Sequence, residues 1–366
     1  MPRPSRTGRD PKQQPGRGGR HPRVGSLAGQ RFEVPPLNLD ALLADTATRI
    51  LVCCGAGGVG KTTTAAALGL HGAELGRKVV VLTIDPARRL AQSLGLTELD
   101  NTPRRVAGVD EAGGGSLDAM MLDMKRTFDE VVHSHATAAK AEQILSNPFY
   151  QALSSSFAGT QEYMAMEKLG QLYAEGIASG RWDLIVVDTP PSRSALDFLD
   201  APERLSSFLD GRLIKLLLSP AKGPIRLLSA GMSAVTNTLT KVLGGQILGD
   251  LRTFVAAFDT LFGGFRVRAE RTYAILKDPQ TAFVVVATPE SDALREASFF
   301  VERLGQESMP LAGLVLNRVT GSAIDGLSGS ASVAAAERLE SEEPFTAALL
   351  RLHASQLDRI EQEARL

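Results

Sequence analysis

A doubly wound α/β fold, a mostly parallel sheet flanked by helices, is what this 366-residue sequence predicts, and two observations carry it. The first is a series of short apolar runs, each followed by a helical pattern: Ile50–Cys54, Val79–Ile84, Leu184–Asp188, Phe283–Ala287 and Leu311–Leu316. Their apolarity is continuous rather than alternating, as in strands buried on both faces of a parallel sheet. The second is a glycine-rich turn closed by Lys61-Thr62 between the first run and a helical pattern.

The strand signals fall at 50–85, 183–188 and 283–317. The intervals between them, roughly 117–180 and 200–280, read as helical. In the second, Leu205, Phe208, Leu209, Leu213, Leu216 and Leu217 follow a 3.6-residue period, and Leu239, Val242, Leu243, Ile247, Leu251, Val255 and Phe258 continue it. A helical subdomain is therefore expected as an insertion in the sheet domain. Gly/Ser-rich 324–332 and acidic 340–343 read as loop before a last helix from about Thr346.

The net charge of −1 hides an asymmetry. Residues 1–31 hold eight basic side chains and only Asp10 as an acid, so the remainder carries −8. The first 36 residues, rich in Arg, Gly and Pro, read as a disordered basic tail, and residues 37–366 as the folded domain. The acidic body argues against nucleic-acid binding by the core domain. No run of 18 apolar residues exists, so the chain is not expected to be transmembrane. Two adjacent cysteines, Cys53 and Cys54, offer neither a disulfide framework nor a C-x-x-C site, which fits the cytoplasm.

Gly55-Ala56-Gly57-Gly58-Val59-Gly60-Lys61-Thr62 matches G-x-x-x-x-G-K-[ST], and strand before and helix after are the context that motif requires. Glycines let backbone N–H groups wrap phosphates, and the helix N-terminus adds a favourable dipole. Lys61 supplies charge at the β- and γ-phosphates, and the Thr62 hydroxyl is placed for Mg²⁺. In a doubly wound sheet, strand carboxyl ends converge on the ligand. Two acids stand at such ends, Asp85 in Ile84-Asp85-Pro86 and Asp188 in Val187-Asp188-Thr189-Pro190-Pro191. One can support the metal and the other position the attacking water; a helix N-cap is the bland alternative for each.

Gly57–Thr63, Asp85-Pro86-Ala87, Asp188–Pro191, Pro289-Glu290 and Leu316-Asn317-Arg318 together resemble the arsenical-pump and tail-anchored-protein-targeting ATPases, a deviant-P-loop class of dimeric enzymes. The likeness spans about residues 38–320 and is greatest to actinobacterial arsenical-pump-like ATPases encoded as adjacent pairs. It implies an Mg-dependent, ATP-hydrolysing P-loop NTPase in which Gly55 to Thr63 bind the nucleotide, Lys61 and Asp85 are catalytic, and Thr62 and Asp188 hold Mg²⁺. Asn317 would read the adenine edge; a strand-end Asn opening a turn is the alternative reading.

Three departures from that pattern matter. The class carries a lysine before its paired glycines that reaches the partner's nucleotide, and here that position is Ala56. The resemblance therefore points to a dimer, with heteropairing to a lysine-bearing paralogue, substitution by another cation such as Arg88 or Arg193, or weak hydrolysis as the alternatives. Nothing replaces the zinc-binding C-x-x-C of the eukaryotic members, since His133 and His135 cannot share a helix face, so no zinc is expected. Relatives also continue past this point with a strand and a loop over the adenine, and the chain is expected to be truncated or to bind nucleotide weakly.

Six of the eight methionines, Met120, Met121, Met124, Met164, Met166 and Met232, fall in or beside the helical intervals. They suit either a subdomain packed on itself or an apolar cargo groove. The expected function is an ATPase that couples nucleotide state to movement of its helical subdomain. The rivals are a nucleotide-binding pseudo-ATPase subunit of a heterodimer and the energising subunit of an anion or metalloid efflux pump.

Overall fold

The computed structural model describes residues 36–85, 89–148, 160–190, 267–319 and 327–363, together with Tyr150, Gln151, Ser154 and Gly264. The basic tail, the interval 200–260 and Met232 lie outside them.

The fold is an α/β P-loop NTPase. Strands β1 (Ile50–Cys54), β2 (Lys78–Thr83), β3 (Arg104–Arg105), β4 (Ser116–Met121), β5 (Leu184–Asp188), β6 (Thr281–Ala287) and β7 (Leu311–Leu316) form one sheet in the order β3-β4-β2-β5-β1-β6-β7. Among the described residues only the β3–β4 pairing is antiparallel. The helices are α1 (Leu39–Ala44), α2 (Lys61–Glu74), α3 (Arg89–Ser93), α4 (Met124–His135), α5 (Ala138–Leu145), α6 (Thr160–Ser179), α7 (Ser291–Gln306), α8 (Gly329–Leu339) and α9 (Pro344–Glu363).

Continuous apolarity does what it must in a doubly covered sheet. Ile50, Val52 and Cys54 enter one core with Phe128, Val131, Leu169, Leu294 and Phe300 of α4, α6 and α7. Leu51 and Cys53, one residue out of step, enter the other with Ala65, Ala66 and Leu68 of α2. Side chains cap several helices: Asn38 accepts from Ala41 N–H, Asp123 from Arg126 N–H and Ser328 from Ala331 N–H.

Register brings the chemistry to one edge. Cys53 and Thr83 both pair with Asp188, so the ends of β1, β2 and β5 are level. Ala287 and Leu316 are level on β6 and β7. The glycine-rich turn, Asp85, Asp188 and Asn317 thus leave the sheet on the same side.

The structure corrects two boundaries. The helical interval expected from about 117 begins at Met124, because Ser116–Met121 is strand β4, paired along its length with β2. Ser-Leu-Asp-Ala-Met-Met lacks β-branched residues, and burial between β2 and β3 overrides that weak propensity. Met120 and Met121 consequently belong to the sheet, and Met120, Met164 and Met166 are fully buried core. The Gly/Ser-rich stretch read as loop up to 332 instead opens α8 at Gly329, and α8 packs on α9 as a helical pair.

At the opposite edge of the sheet, Arg77 is 3% exposed and spends all five N–H groups. Nη1 donates to the carbonyls of Leu43 (2.8 Å) and Asp45 (2.9 Å), Nη2 to those of Thr48 (2.8 Å) and Asp183 (2.9 Å), and Nε to Asp183 Oδ1 (2.7 Å). This guanidinium ties α1 and the turn before β1 to the turn before β5. Arg77→Ala removes the guanidinium from four carbonyls and a carboxylate at once, so we expect a loss of roughly 3 kcal/mol, read from urea unfolding, with Arg77→Lys recovering only part.

Candidate active site

The turn after β1 depends on close backbone approach. Gly55 adopts φ +142°, and a Cβ there would lie 2.1 Å from the carbonyl oxygen of Val286 in β6. Gly60 ends the turn at φ +100° as the residue before α2, and a Cβ on it would lie 2.2 Å from Asn317 Nδ2. Between them Ala56 and Val59 point into the α2-side core, while Gly57 and Gly58 are exposed. The loop is pinned at its two ends, by Gly55 and Ala56 and by Val59 and Gly60, and leaves the backbone of Gly57 and Gly58 open between them.

Lys61 is 6% exposed at the start of α2, and its Nζ donates to the Ala56 carbonyl at 2.7 Å. Burial pulls its pKa below the usual lysine value, opposed by the charges of Asp188 and Asp85. A cavity of about 470 Å³ opens over the loop. Gly58, Gly60, Lys61, Thr62, Thr63 and Asp85 line it, joined by Arg89, Gln92 and Ser93 of α3, Thr189 and Arg318.

Asp85 is 8% exposed, and its Oδ2 lies 3.6 Å from Arg89 Nη1, one helical turn on. Asp188 is wholly buried beneath the cavity. Its Oδ2 accepts from Thr83 Oγ1 at 2.9 Å, whereas its Oδ1 has no hydrogen-bond partner among the described residues. Burial pushes the Asp188 carboxyl up to about 6, against the opposing hydroxyls of Thr83 and Thr62 and the Lys61 charge.

That orphaned carboxylate oxygen tests the fit to Mg²⁺. A small hard cation takes oxygen ligands and keeps several waters. A hydroxyl at the cavity floor (Thr62) with a buried carboxylate carrying a free lone pair beneath is an oxygen-only donor set of that kind. The residues present fit the ion.

Asn317 stands at the rim. Its Nδ2 donates to the Val59 carbonyl at 2.8 Å, and its Oδ1 accepts from the Arg318 N–H at 2.9 Å. The amide therefore ties the end of β7 to the phosphate loop. The expected site residues thus lie at one end of the sheet, with Asp188 under the cavity and Asn317 beside it. Sequence reasoning missed Arg89, Gln92, Ser93, Thr189 and Arg318; for Arg89 the signal was its spacing of four from Asp85. The two cations proposed from sequence, Arg88 and Arg193, lie outside the described residues.

Cys53 and Cys54 are buried in β1, and burial raises both thiols, Cys54 to about 12. They are protonated at neutral pH and turned away from solvent, so they are poor soft-metal ligands. Among the described residues no helix is long and apolar enough to cross a membrane.

A strand, a phosphate loop with its lysine and threonine, and two acids at neighbouring strand ends define a P-loop nucleoside triphosphatase. The anion-transporting ATPase family model matches residues 48–326, and the chain belongs to that family of ATPases. It is similar to ATPase get3 of Schizosaccharomyces pombe, 25% identical over 295 residues that cover 79% of this chain and 78% of that protein. It is also similar to ATPase ARSA2 of Chlamydomonas reinhardtii, 27% identical over 321 residues, or 85% and 79% of the two chains. A third relative, the ATPase ASNA1 homolog of Cryptosporidium parvum, is 27% identical over 268 residues, covering 72% and 63%.

The Asp188 shift has a definite sign. Its folded pKa near 6 exceeds the unfolded value of about 3.9, so its contribution favours the fold below pH 4 and is lost as pH rises through 6. Asp188→Asn is expected to stabilise the nucleotide-free protein at pH 7 and to flatten its melting temperature between pH 4 and 7, measured by calorimetry.

Proposed function

We propose that this chain binds Mg–ATP in the cavity over Gly55–Thr63 and hydrolyses it at an interface with a second subunit in the cytosol, using the nucleotide state to move its helical segments. The observation that carries the reading is the convergence of the Lys61 ammonium, the Thr62 hydroxyl and the Asp85 and Asp188 carboxylates at one end of the sheet.

In this reading the loop N–H groups and Lys61 hold the phosphates, with Lys61 leaving the Ala56 carbonyl for the β- and γ-phosphates. Thr62 and Asp188 would hold Mg²⁺, which when bound neutralises charge on the β- and γ-phosphate oxygens. Asp85 accepts a hydrogen bond from the attacking water and orients it. The water oxygen bonds to the γ-phosphorus as the bond to the β,γ-bridging oxygen breaks. The electron pair leaves on ADP, and the water's proton passes through Asp85 to the released phosphate. Asn317 keeps the loop in register from β7 and is the candidate for the adenine edge.

Two contacts support coupling to the helices. Gln161 Nε2 of α6 donates to the Ile84 carbonyl at 2.8 Å, next to Asp85, and the Ile84 N–H donates to the Asp188 carbonyl at 3.0 Å. An apolar cargo, as the resemblance to the tail-anchored-protein-targeting ATPases implies, would be held by the helical segments.

A second reading, a nucleotide-binding subunit that does not turn over alone, is favoured by Ala56: a buried methyl group cannot supply charge across an interface. Purified full-length chain separates the two. Lys61→Ala is expected to abolish ATP binding. Asp85→Asn should keep it and lower kcat by about 10²-fold or more. Addition of a lysine-bearing paralogue should raise the rate if the subunits heteropair. Wild-type turnover by the Asp85 variant would remove the role given to that residue.

A further inference from the structure

The cavity holds more charge than the phosphate loop itself supplies. Arg89 lies in it beside Lys61, Thr62 and Asp85, with a side chain 60% exposed and a carboxylate contact to Asp85 at 3.6 Å, longer than a hydrogen bond. Such a pair is loosely held. A guanidinium on a flexible stem, facing solvent across a weak ion pair, is free to exchange its carboxylate for a better anion, and the planar fork of Arg matches phosphate oxygens. Arg318, the other arginine of the cavity, sits past Asn317 with backbone φ +55°, on the β7 side of the loop. Arg89 is on the side of the catalytic acid, and its charge is felt at Lys61, whose pKa it lowers.

Building on the proposed ATP site, we infer that Arg89 is a cation supplied in cis to the γ-phosphate: it rests on Asp85 when no γ-phosphate is present and moves to the γ-phosphate when ATP binds. The exchange places a guanidinium against oxygens on which charge accumulates as the β,γ bond breaks. ADP, lacking the third phosphate, leaves the Arg89–Asp85 pair in place. Arg89 then discriminates ATP from ADP.

The test needs binding as well as turnover. Full-length wild type, Arg89→Ala and Arg89→Lys are titrated with ATP and with ADP, each with Mg²⁺, by competition against a fluorescent ADP analogue. A charge-assisted contact corresponds to roughly 10- to 100-fold in affinity, so Arg89→Ala is expected to lose about that factor for ATP and nothing for ADP, with Arg89→Lys intermediate. Where the wild type turns over, kcat should fall by about 10²-fold or more. Asp85→Asn should raise ATP affinity in the wild-type background and not in Arg89→Ala, because the competing carboxylate is gone. Equal losses for both nucleotides, or an unchanged ATP preference, overturns the assignment of Arg89 while the ATP site stands. Wild-type protein that binds neither nucleotide overturns the site and Arg89 together.

Discussion

The site depends on how near the backbone of Gly55 lies to strand β6. A side chain at that residue would occupy the position of the Val286 carbonyl, so the turn after β1 is pressed against the neighbouring strand before it can swing out. Pairing of β1 with both β5 and β6 sets this approach, and the buried side chains of Ala56 and Val59 maintain it. The exposed glycines between are then left with their N–H groups unoccupied by side-chain packing. A phosphate cradle is the remainder of that packing arrangement, held rigid because it is anchored in the core on both sides.

Charge at the site is arranged in depth. Asp188 is buried and strained toward its acid form, Lys61 is buried and pulled toward its neutral form, and each is partly relieved by the other. Nearer solvent, Asp85 faces Arg89. The deep pair is fixed by the fold and the shallow pair is loosely held, so an arriving anion meets a rigid floor and an adaptable wall. Arg77, at the far edge of the sheet, shows the contrast: a guanidinium whose donors are all occupied by backbone and carboxylate has no capacity left for a ligand.

The sheet core was legible because parallel strands buried on both faces have to be apolar without a break, as β1, β2, β5 and β6 are; β7 is equally apolar but ends the strand order, and its Leu311 and Leu314 are exposed rather than buried as the run of apolar residues predicts. Strand β4 was not, since Leu-Asp-Ala-Met-Met carries no β-branched residue and its pairing with β2 comes from tertiary context. Its Asp118 is buried and accepts from Trp182 Nε1 at 2.8 Å, a contact that joins residues 64 apart. Local composition cannot announce such a partner. The phosphate loop and the two acids were legible because their chemistry requires fixed residue types at fixed spacing. Arg89 was hidden by the opposite property: beyond its spacing of four from Asp85, an arginine on a surface helix has no distinctive sequence, and its place in the cavity with Lys61 and Asp85 distinguishes it.

The contact between Gln161 and Ile84 joins the start of α6 to the strand end beside Asp85. Helix α6 is embedded through Tyr163, Met164, Met166, Leu169 and Leu172, all buried in the core that also receives Ile84. A side-chain amide is a short, directional connection, so a backbone shift at Ile84 has to break it or carry the start of α6 along. The same residue is bonded through its N–H to the Asp188 carbonyl. The strand end beside Asp85, the Asp188 carbonyl and the start of α6 are thereby joined through one residue, Ile84.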